Sequence, residues 1–334
     1  MIRNRIIAIA KIGIIPVILS LAAWSCRYGN RPGEVTEVFR FDRMLFSVPA
    51  DRAADSIRIH HPDIMPFFRA FNEGIIRIGP DSLAGYPEQL SSFTGDTMIR
   101  RVYDEIVKND IRFLEQFALV FSALENLEEL TGKPVPRLVT YISGFNRSFT
   151  ALPGILGLGL DNYLGSDFGF YDNLGIPVYQ QDYMNPENLA PDAARAWVIS
   201  ETTGPDPGSS FLDHLVYHGK VLYLVRKLMP DIPEKLIFRF SEDQLDWCRS
   251  HEPDMWKYLA GQRIIFSTDR FTIRKFMEEA PFTKDFGNES PGRAATWIGY
   301  RIVSQYVKKN KPEPAFFFSH TDSREILAAS GYRP

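Results

Sequence analysis

The sequence predicts an α+β fold that is mainly helical, with a small sheet placed before a buried central helix. Apolar residues recur at helical spacing along most of the chain. Two short segments, 137–142 and 154–160, are β-branched or broken by glycines and indicate strands. The segment 211–229 is apolar on two opposite sides, which is typical of a helix packed between other elements.

The elements follow in order from apolar spacing and from flanking Pro and Gly. A short strand leading into a first helix is predicted over 38–46. Further helices are predicted over 52–60, 61–78, two within 96–130, and then 190–201, 211–229, 234–240, 242–259, 269–279, 293–308 and 323–329. No repeat or linker divides the chain, so we expect residues 37–334 to form a single domain.

The first 25 residues are predicted to be a lipoprotein signal peptide. A basic start precedes an apolar run over 12–23, shorter than the roughly 20 residues that a membrane-spanning helix needs. The cleavage region at the end of this run, Leu-Ala-Ala-Trp-Ser-Cys, resembles a lipobox, in which Cys26 carries fatty acyl chains such as palmitate and becomes the mature N-terminus. An ordinary signal peptide with an incidental cysteine is the alternative. Residues 26–36 are predicted to be a tether.

Charge and cysteine content argue against a nucleic-acid-binding protein and against a protein stabilised by disulfides. Residues 1–25 hold three basic and no acidic residues, so their removal changes the formal net charge from −3 to −6. An acidic chain without a basic cluster has no electrostatic reason to bind nucleic acid. Cys248 is the second of two cysteines, and with Cys26 acylated it has no partner for a disulfide. Stability must come from the hydrophobic core.

The central helix carries a suggestive pair of side chains, His214 and His218. At positions i and i+4 both imidazoles can reach one Zn²⁺ from one helix face. Two hydrogen-bonded rings in a helical core are the alternative. The helical wheel places Lys220 on the strip facing solvent.

A polar and aromatic stretch from residue 161 to about residue 186 is a second candidate site. It is long and irregular, which in a compact domain often indicates function. Asp161, Tyr163, Tyr171 and Tyr179 are its candidate residues for binding a glycan or a peptide. The glycines before it form neither a dinucleotide fingerprint nor a phosphate loop.

Several segments together resemble the GldB gliding-motility lipoprotein family of Bacteroidetes. They are FDRMLF, HPDIMPFF, TYISGFN, LGLDNYLGSDFGFY, YHGKVLYLVRKLMPDIP, DWCRSHEPDMW and SPGRAATWIGYRIV. The resemblance covers nearly all of the mature chain. It implies a role in gliding motility, in the context of type IX secretion, with protein partners in the cell envelope.

The family is also similar to predicted zinc-dependent proteases whose central helix carries His-Glu-x-x-His. This similarity implies a zincin-like metallopeptidase scaffold. Here Leu215 stands where the glutamate of that motif polarises the metal-bound water, so the usual hydrolytic route lacks its proton acceptor. A third zinc ligand is conceivable among the later acidic residues Glu242, Asp243 and Glu252, although the spacing identifies none of them.

Three functions are compatible with these observations. The first is a lipoprotein without a cofactor that acts through protein contacts on a degenerate metallopeptidase-like scaffold. The second is a zinc-binding, metallopeptidase-like protein that uses His214 and His218. The third is a lipid-anchored module that binds a glycan or peptide through the loop 163–183. The missing glutamate favours the first, non-enzymatic function.

The location follows from the anchor and the tether. Membrane attachment is expected through the N-terminal lipid. The tether lacks the run of acidic residues that commonly marks surface export in Bacteroidetes lipoproteins. We therefore expect the domain to face the periplasm, with the choice between inner and outer membrane left open.

Overall fold

A computed structural model describes residues 38–320 and 322–334 of the protein. The predicted signal peptide (1–25), the acylation site Cys26 and the tether (26–36) lie outside these residues. The described residues belong to one compact unit, Glu37–Pro334, with 64% helix and a small sheet. The predicted mainly helical α+β fold is confirmed.

Four short strands form one open sheet in the order β1–β2–β4–β3. They are β1 (Val38–Phe39), β2 (Arg137–Tyr141), β3 (Phe149–Leu152) and β4 (Ile155–Gly159). The β1–β2 and β2–β4 pairs are parallel, whereas β3 and β4 form an antiparallel hairpin. Gly154 has a φ of 70° in the hairpin turn, a conformation that glycine adopts without the steric cost of a Cβ. The sequence did not predict β3.

The two faces of the sheet contribute to two different hydrophobic clusters. Along β2, Leu138 belongs to the larger cluster, and Val139 and Tyr141 belong to the smaller one, as the two-residue period of a strand requires. Gly157 lies on the face of the smaller cluster, where a Cβ would come 2.6 Å from the Phe67 ring. A side chain at position 157 would therefore displace that ring from the sheet.

From residue 38 onward, six α-helices precede β2, and several of them contribute to the smaller cluster. They are α1 (Phe41–Ser47), α2 (Ala50–His60), α3 (Met65–Ala70), α4 (Tyr86–Gly95), α5 (Thr97–Lys108) and α6 (Asp110–Thr131). The helix predicted over 61–78 is interrupted: a 3₁₀ turn precedes α3 and a π-helical turn, Phe71–Ile75, follows it. Helix α4 was not predicted.

Arg40 connects β1 and α1 to the start of α6. Its guanidinium donates to both carboxylate oxygens of the buried Asp42, at 3.0 and 2.8 Å, and to Asp110 Oδ1 at 2.6 Å. Arg43 also contacts Asp110, at 2.7 Å. Burial acts to raise the pKa of Asp110, but the two guanidiniums outweigh it, and the net pKa is below its usual range.

The remaining helices build the larger cluster around the central helix. They are α7 (Phe170–Asn173), α8 (Val178–Gln181), α9 (Pro186–Glu201), α10 (Phe211–Leu228), α11 (Glu234–Phe238), α12 (Glu242–Gly261), α13 (Arg270–Met277), α14 (Ala295–Asn310) and α15 (Ser323–Ser330). Helix α14 begins two residues later than predicted because Arg293 has a positive φ of 49°, which lies outside helical backbone geometry.

Helix α10 is central, as predicted, and packs most closely against α14. A Cβ on Gly219 would overlap the backbone of Gly299, and a Cβ on Gly299 would overlap the carbonyl oxygen of Leu215. The two backbones approach this closely because both facing positions lack side chains. The placement of Lys220 toward solvent was wrong: it is 5% exposed, and its ammonium donates to the carbonyl oxygen of Phe316 at 2.9 Å.

Candidate functional site

The histidine pair lies in the first half of α10, after a capping box that fixes the start of the helix. Ser210 Oγ accepts from the backbone N–H of Asp213, and the Asp213 carboxylate accepts from the Ser210 N–H at 2.7 Å. These reciprocal bonds satisfy two backbone donors at the helix end. The four-residue spacing of His214 and His218 places them on consecutive turns of the helix that starts here.

The surroundings of His218 are positively charged. The pKa of the His218 imidazole is lowered to about 4. Burial is the largest cause, and His214, Arg293 and Arg195 act in the same direction. Burial also lowers the pKa of His214, against the opposing effect of Asp213. At neutral pH both imidazoles are therefore uncharged.

The residues around the pair do not fit a catalytic zinc site. Within residues 38–320 and 322–334, no three His, Cys, Asp or Glu side chains lie close enough to hold one metal ion. The nearby guanidiniums of Arg195 and Arg293 would repel a divalent cation at His218. Two neutral imidazoles are suitable ligands by themselves, but this charge opposes the ion that they would bind.

The three acidic candidates for a third ligand have other positions. Glu242 and Asp243 are exposed in the first turn of α12, and Glu242 lies 3.5 Å from Lys235. Glu252 is buried and accepts hydrogen bonds from Trp297 Nε1 and the Tyr332 hydroxyl, both at 3.0 Å. The Glu252 carboxylate therefore connects α12 to α14 and to the segment after α15.

The aromatic loop places three of its four candidate residues in the core. Asp161, Tyr163 and Tyr171 are 0%, 4% and 0% exposed. The Asp161 carboxylate accepts from the backbone N–H and hydroxyl of Ser143 and from the N–H of Phe145, at 2.6 to 3.1 Å. Burial raises the pKa of Asp161, and these hydrogen bonds oppose the rise.

The two buried tyrosines also have internal partners. The hydroxyl of Tyr163 donates to Asp192 at 3.1 Å, and that of Tyr171 donates to the carbonyl oxygen of Asp161 at 3.0 Å. Tyr179 differs from them because it lines a pocket. Tyr179 is thus the one candidate of this set that the structure places beside a cavity, and ligand binding by the loop stays a prediction.

A cluster of five charged side chains lies beside this pocket. Arg195 contacts Asp192 at 3.1 Å, and Arg239 contacts Glu279 at 3.0 Å. Longer ion pairs of 3.8 Å join Arg239 to Asp192 and Arg293 to Glu279. We call Asp192, Arg195, Arg239, Glu279 and Arg293 the charged cluster.

The pocket has a volume of about 700 Å³ and lies next to the charged cluster. Its walls come from the α8–α9 region, from the α11–α12 junction and from the segment before α14. Arg239, Arg293, Glu279, Asn188 and Tyr183 are among its lining residues. We call this cavity, with these five residues, the arginine pocket.

Sequence reasoning missed the arginine pocket. Its charged residues come from separate segments of the sequence, and each resembles an ordinary solvent-facing charge. Arg239 directly follows α11 and Arg293 lies just before α14, and they have positive φ values of 52° and 49°. No local sequence pattern predicts this backbone conformation. An alignment of related sequences would be the signal needed to find them.

Comparison with models of known protein families identifies the family of the chain. The profile described as gliding motility protein GldB matches residues 32–334. The chain belongs to the GldB family. This confirms the resemblance seen in the sequence motifs over nearly all of the mature chain. Comparisons with curated proteins and with solved structures gave no significant match.

Membership of the GldB family gives the protein a coarse role. The family comprises gliding-motility lipoproteins, so the chain is a gliding-motility-related protein of the cell envelope with expected protein partners. Among the helices of the described residues, none has the length and apolar character of a membrane span.

Proposed function

We propose that the protein is a non-catalytic envelope lipoprotein, facing the periplasm and held by acylated Cys26, that acts through contacts with proteins of the gliding machinery. Its scaffold, in this proposal, is a degenerate zincin-like fold that has lost metallopeptidase chemistry. The observation that carries the proposal is the environment of the position after His214. There, a fully buried Leu215 replaces the expected base.

The packing at Leu215 supports this proposal beyond the identity of the residue. Leu215 belongs to the larger hydrophobic cluster, and its carbonyl oxygen lies against Gly299 of α14. A carboxylate at this buried position would lose its hydration, at a cost of several kcal/mol. The surroundings are thus suited to an apolar side chain and not to a water-activating base.

The positive charge beside the histidines supports the same proposal. A hydrolytic zinc site combines neutral imidazoles with a carboxylate that attracts the ion. Burial is the main cause that lowers the pKa of His218, and Arg293 and Arg195 lower it as well, so the site favours the neutral form of this imidazole. The pair is better suited to packing between helices.

Complementation in a gliding Bacteroidetes host tests the proposal. Deletion should impair spreading of colonies, and a His214→Gln/His218→Gln variant should restore it to nearly the wild-type level. Glutamine retains hydrogen-bonding capacity and approximate volume but cannot supply imidazole ligands. Abundance of the variant, measured by immunoblot, separates loss of folding from loss of function.

Metal content and peptidase activity provide the opposing outcomes. Purified full-length protein should contain little zinc and should not cleave peptides. Stoichiometric zinc that is lost in His214→Ala, or peptide cleavage that dipicolinate abolishes, would contradict the proposal. Either result would establish the zinc-dependent alternative instead.

A further inference from the structure

The charged cluster carries an excess of positive charge. Three guanidiniums, of Arg195, Arg239 and Arg293, share two carboxylates, of Asp192 and Glu279. Neighbouring carbonyl oxygens also accept hydrogen bonds from two of these arginines, but they carry no full charge. Protein interiors rarely retain an uncompensated cation, so this cluster is suited to one additional negative charge.

The environment of Arg293 shows the same imbalance. Burial, together with the charges of Arg195 and Arg239, lowers the pKa of the Arg293 guanidinium to about 10. An arginine stays protonated at neutral pH in any case, so the low pKa indicates that a positive charge is held in an unfavourable place. By contrast, the carboxylates of Asp192 and Glu279 outweigh burial at Arg239 and raise its pKa.

The two pocket arginines are positioned by local structure. Arg239 and Arg293 both have left-handed backbone conformations, which are uncommon for residues other than glycine. The guanidinium of Arg239 lies 4.9 Å from the centre of the Tyr183 ring, and that of Arg293 donates to the carbonyl oxygen of Phe238 at 2.9 Å. Each side chain is 19% exposed, so both guanidiniums are largely desolvated.

Asn188 adds an unpartnered polar group to the same cavity. It lines the pocket and is 3% exposed. In the described part of the chain, its Oδ1 atom has no hydrogen-bond partner. An unpaired buried acceptor is unfavourable, so a ligand N–H that reaches this oxygen would remove that cost.

The charges at the mouth of the pocket do not cancel the excess. Lys235 pairs with Glu242 at 3.5 Å, and Glu187 pairs with Arg112 at 2.7 Å. Asp182 is exposed, where solvent screens its charge. The charged cluster therefore has a net charge of one positive unit, which matches a carboxylate better than a phosphate dianion.

We propose that the arginine pocket binds the carboxylate of an acidic peptide segment from a partner protein. The carboxylate accepts hydrogen bonds from Arg239 and Arg293, and a backbone N–H of the peptide donates to Asn188 Oδ1. Charge-assisted hydrogen bonds of this kind are the stronger ones in proteins. The tyrosine rings of Tyr179 and Tyr183 pack against residues beside the acidic one. This assignment rests on the proposed function, because it supplies the chemistry of one protein contact.

Protection of arginines in the full-length protein tests this site without any substitution. Phenylglyoxal modification is followed by mass spectrometry in the presence of N-acetyl-Leu-Glu-Leu-amide, its glutamine counterpart, glucuronate or inorganic phosphate. The glutamate peptide should slow modification of Arg239 and Arg293, and the glutamine peptide should not. The exposed Arg270, outside the pocket, should react at the same rate throughout.

Affinity measured by calorimetry gives the second readout. Arg239→Gln should weaken binding of the glutamate peptide about tenfold or more, whereas Arg270→Gln makes the same charge change and should leave it unaltered. Binding without discrimination between the two peptides would overturn the assignment. Protection by glucuronate alone would overturn it in favour of an acidic glycan, and equal protection by all anions would reduce it to general charge screening.

The two proposals fail in different ways. If the glutamate peptide does not bind but the His214→Gln/His218→Gln variant supports gliding, the pocket assignment is wrong and the proposed function stands. If the peptide binds and that variant, at normal abundance, does not support gliding, the histidines have a function that the non-catalytic proposal omits.

Discussion

A methyl group on Gly299 should destabilise the protein, although alanine is the better helix former. In isolation, Gly→Ala in a helix interior stabilises by about 1 kcal/mol. At this position the new Cβ would lie 2.9 Å from the carbonyl carbon of Leu215 and 3.3 Å from its Cα, and closer still to its oxygen. Ordinary van der Waals contact begins near 3.4 Å, so α10 and α14 must separate by at least about 0.5 Å.

Separating the two helices costs free energy, because the methyl group meets backbone atoms and not the end of a flexible side chain that could move away. Overpacking of a tight core typically costs about 1–3 kcal/mol. A clash with backbone belongs in the upper part of that range, about 2–3 kcal/mol. Subtracting the helix-propensity gain of about 1 kcal/mol leaves Gly299→Ala destabilised by about 1–2 kcal/mol. A protein of this size should then melt a few degrees lower.

Guanidinium chloride unfolding followed by circular dichroism measures the difference. Gly261→Ala is the matched control, because Gly261 also lies in a helix and a Cβ there would meet no atom within 4 Å. The control should be unchanged or slightly stabilised. If Gly299→Ala unfolds at the same or a higher denaturant concentration than wild type, the close packing of α10 on α14 is refuted.

Three further predictions concern individual carboxylates and the anchor. Asp110→Asn should lose about 1 kcal/mol at pH 7. Because the folded pKa of Asp110 is depressed, the stability difference between this variant and wild type should shrink as pH falls through that pKa. In urea titrations, the exposed Asp104→Asn should show neither the loss of stability nor the pH dependence. A stability difference that does not vary with pH would exclude the Arg40 ion pair as its cause. Asp161→Asn should lower stability by about 3 kcal/mol, because an amide cannot accept from all the buried donors that the carboxylate serves; an unchanged melting temperature would contradict this. Cys26→Ser should abolish incorporation of labelled palmitate, and persistent labelling would disprove acylation at this residue.

The sequence predicted the central helix well because its cause is local. The two-sided apolar pattern of 211–229 needs only a helical period, and the helix spans Phe211–Leu228. Lys220 shows where local reasoning ends. Its ammonium lies against the carbonyl oxygens of Phe316 and Ser319, about a hundred positions later in the chain, so a strip that resembles a solvent face is covered by a distant segment.

The arginine pocket could not be predicted for a related reason. Each of its charged residues has an unremarkable local sequence, and the site exists only because α9, α11 and the residues before α14 meet. The missed strand β3 is similar, since its pairing with β4 depends on the turn at Gly154 and not on a strong alternating pattern. In contrast, the proposed loss of a base at Leu215 could be inferred from the sequence, because the motif of the similar proteases fixes the position that the base would occupy.

Two long-distance contacts described above constrain when an exported chain can fold. Val38 in β1 pairs with Leu138 in β2, and the hydroxyl of Tyr332 binds the carboxylate of Glu252 from 80 positions away. In the proposed export, the sheet can be complete only when β4, which ends at Gly159, has crossed the inner membrane, and Glu252 gains the Tyr332 hydroxyl only when residue 332 has crossed. A chain exported in this way would hold a complete sheet while the Glu252 carboxylate still lacked the Tyr332 hydroxyl.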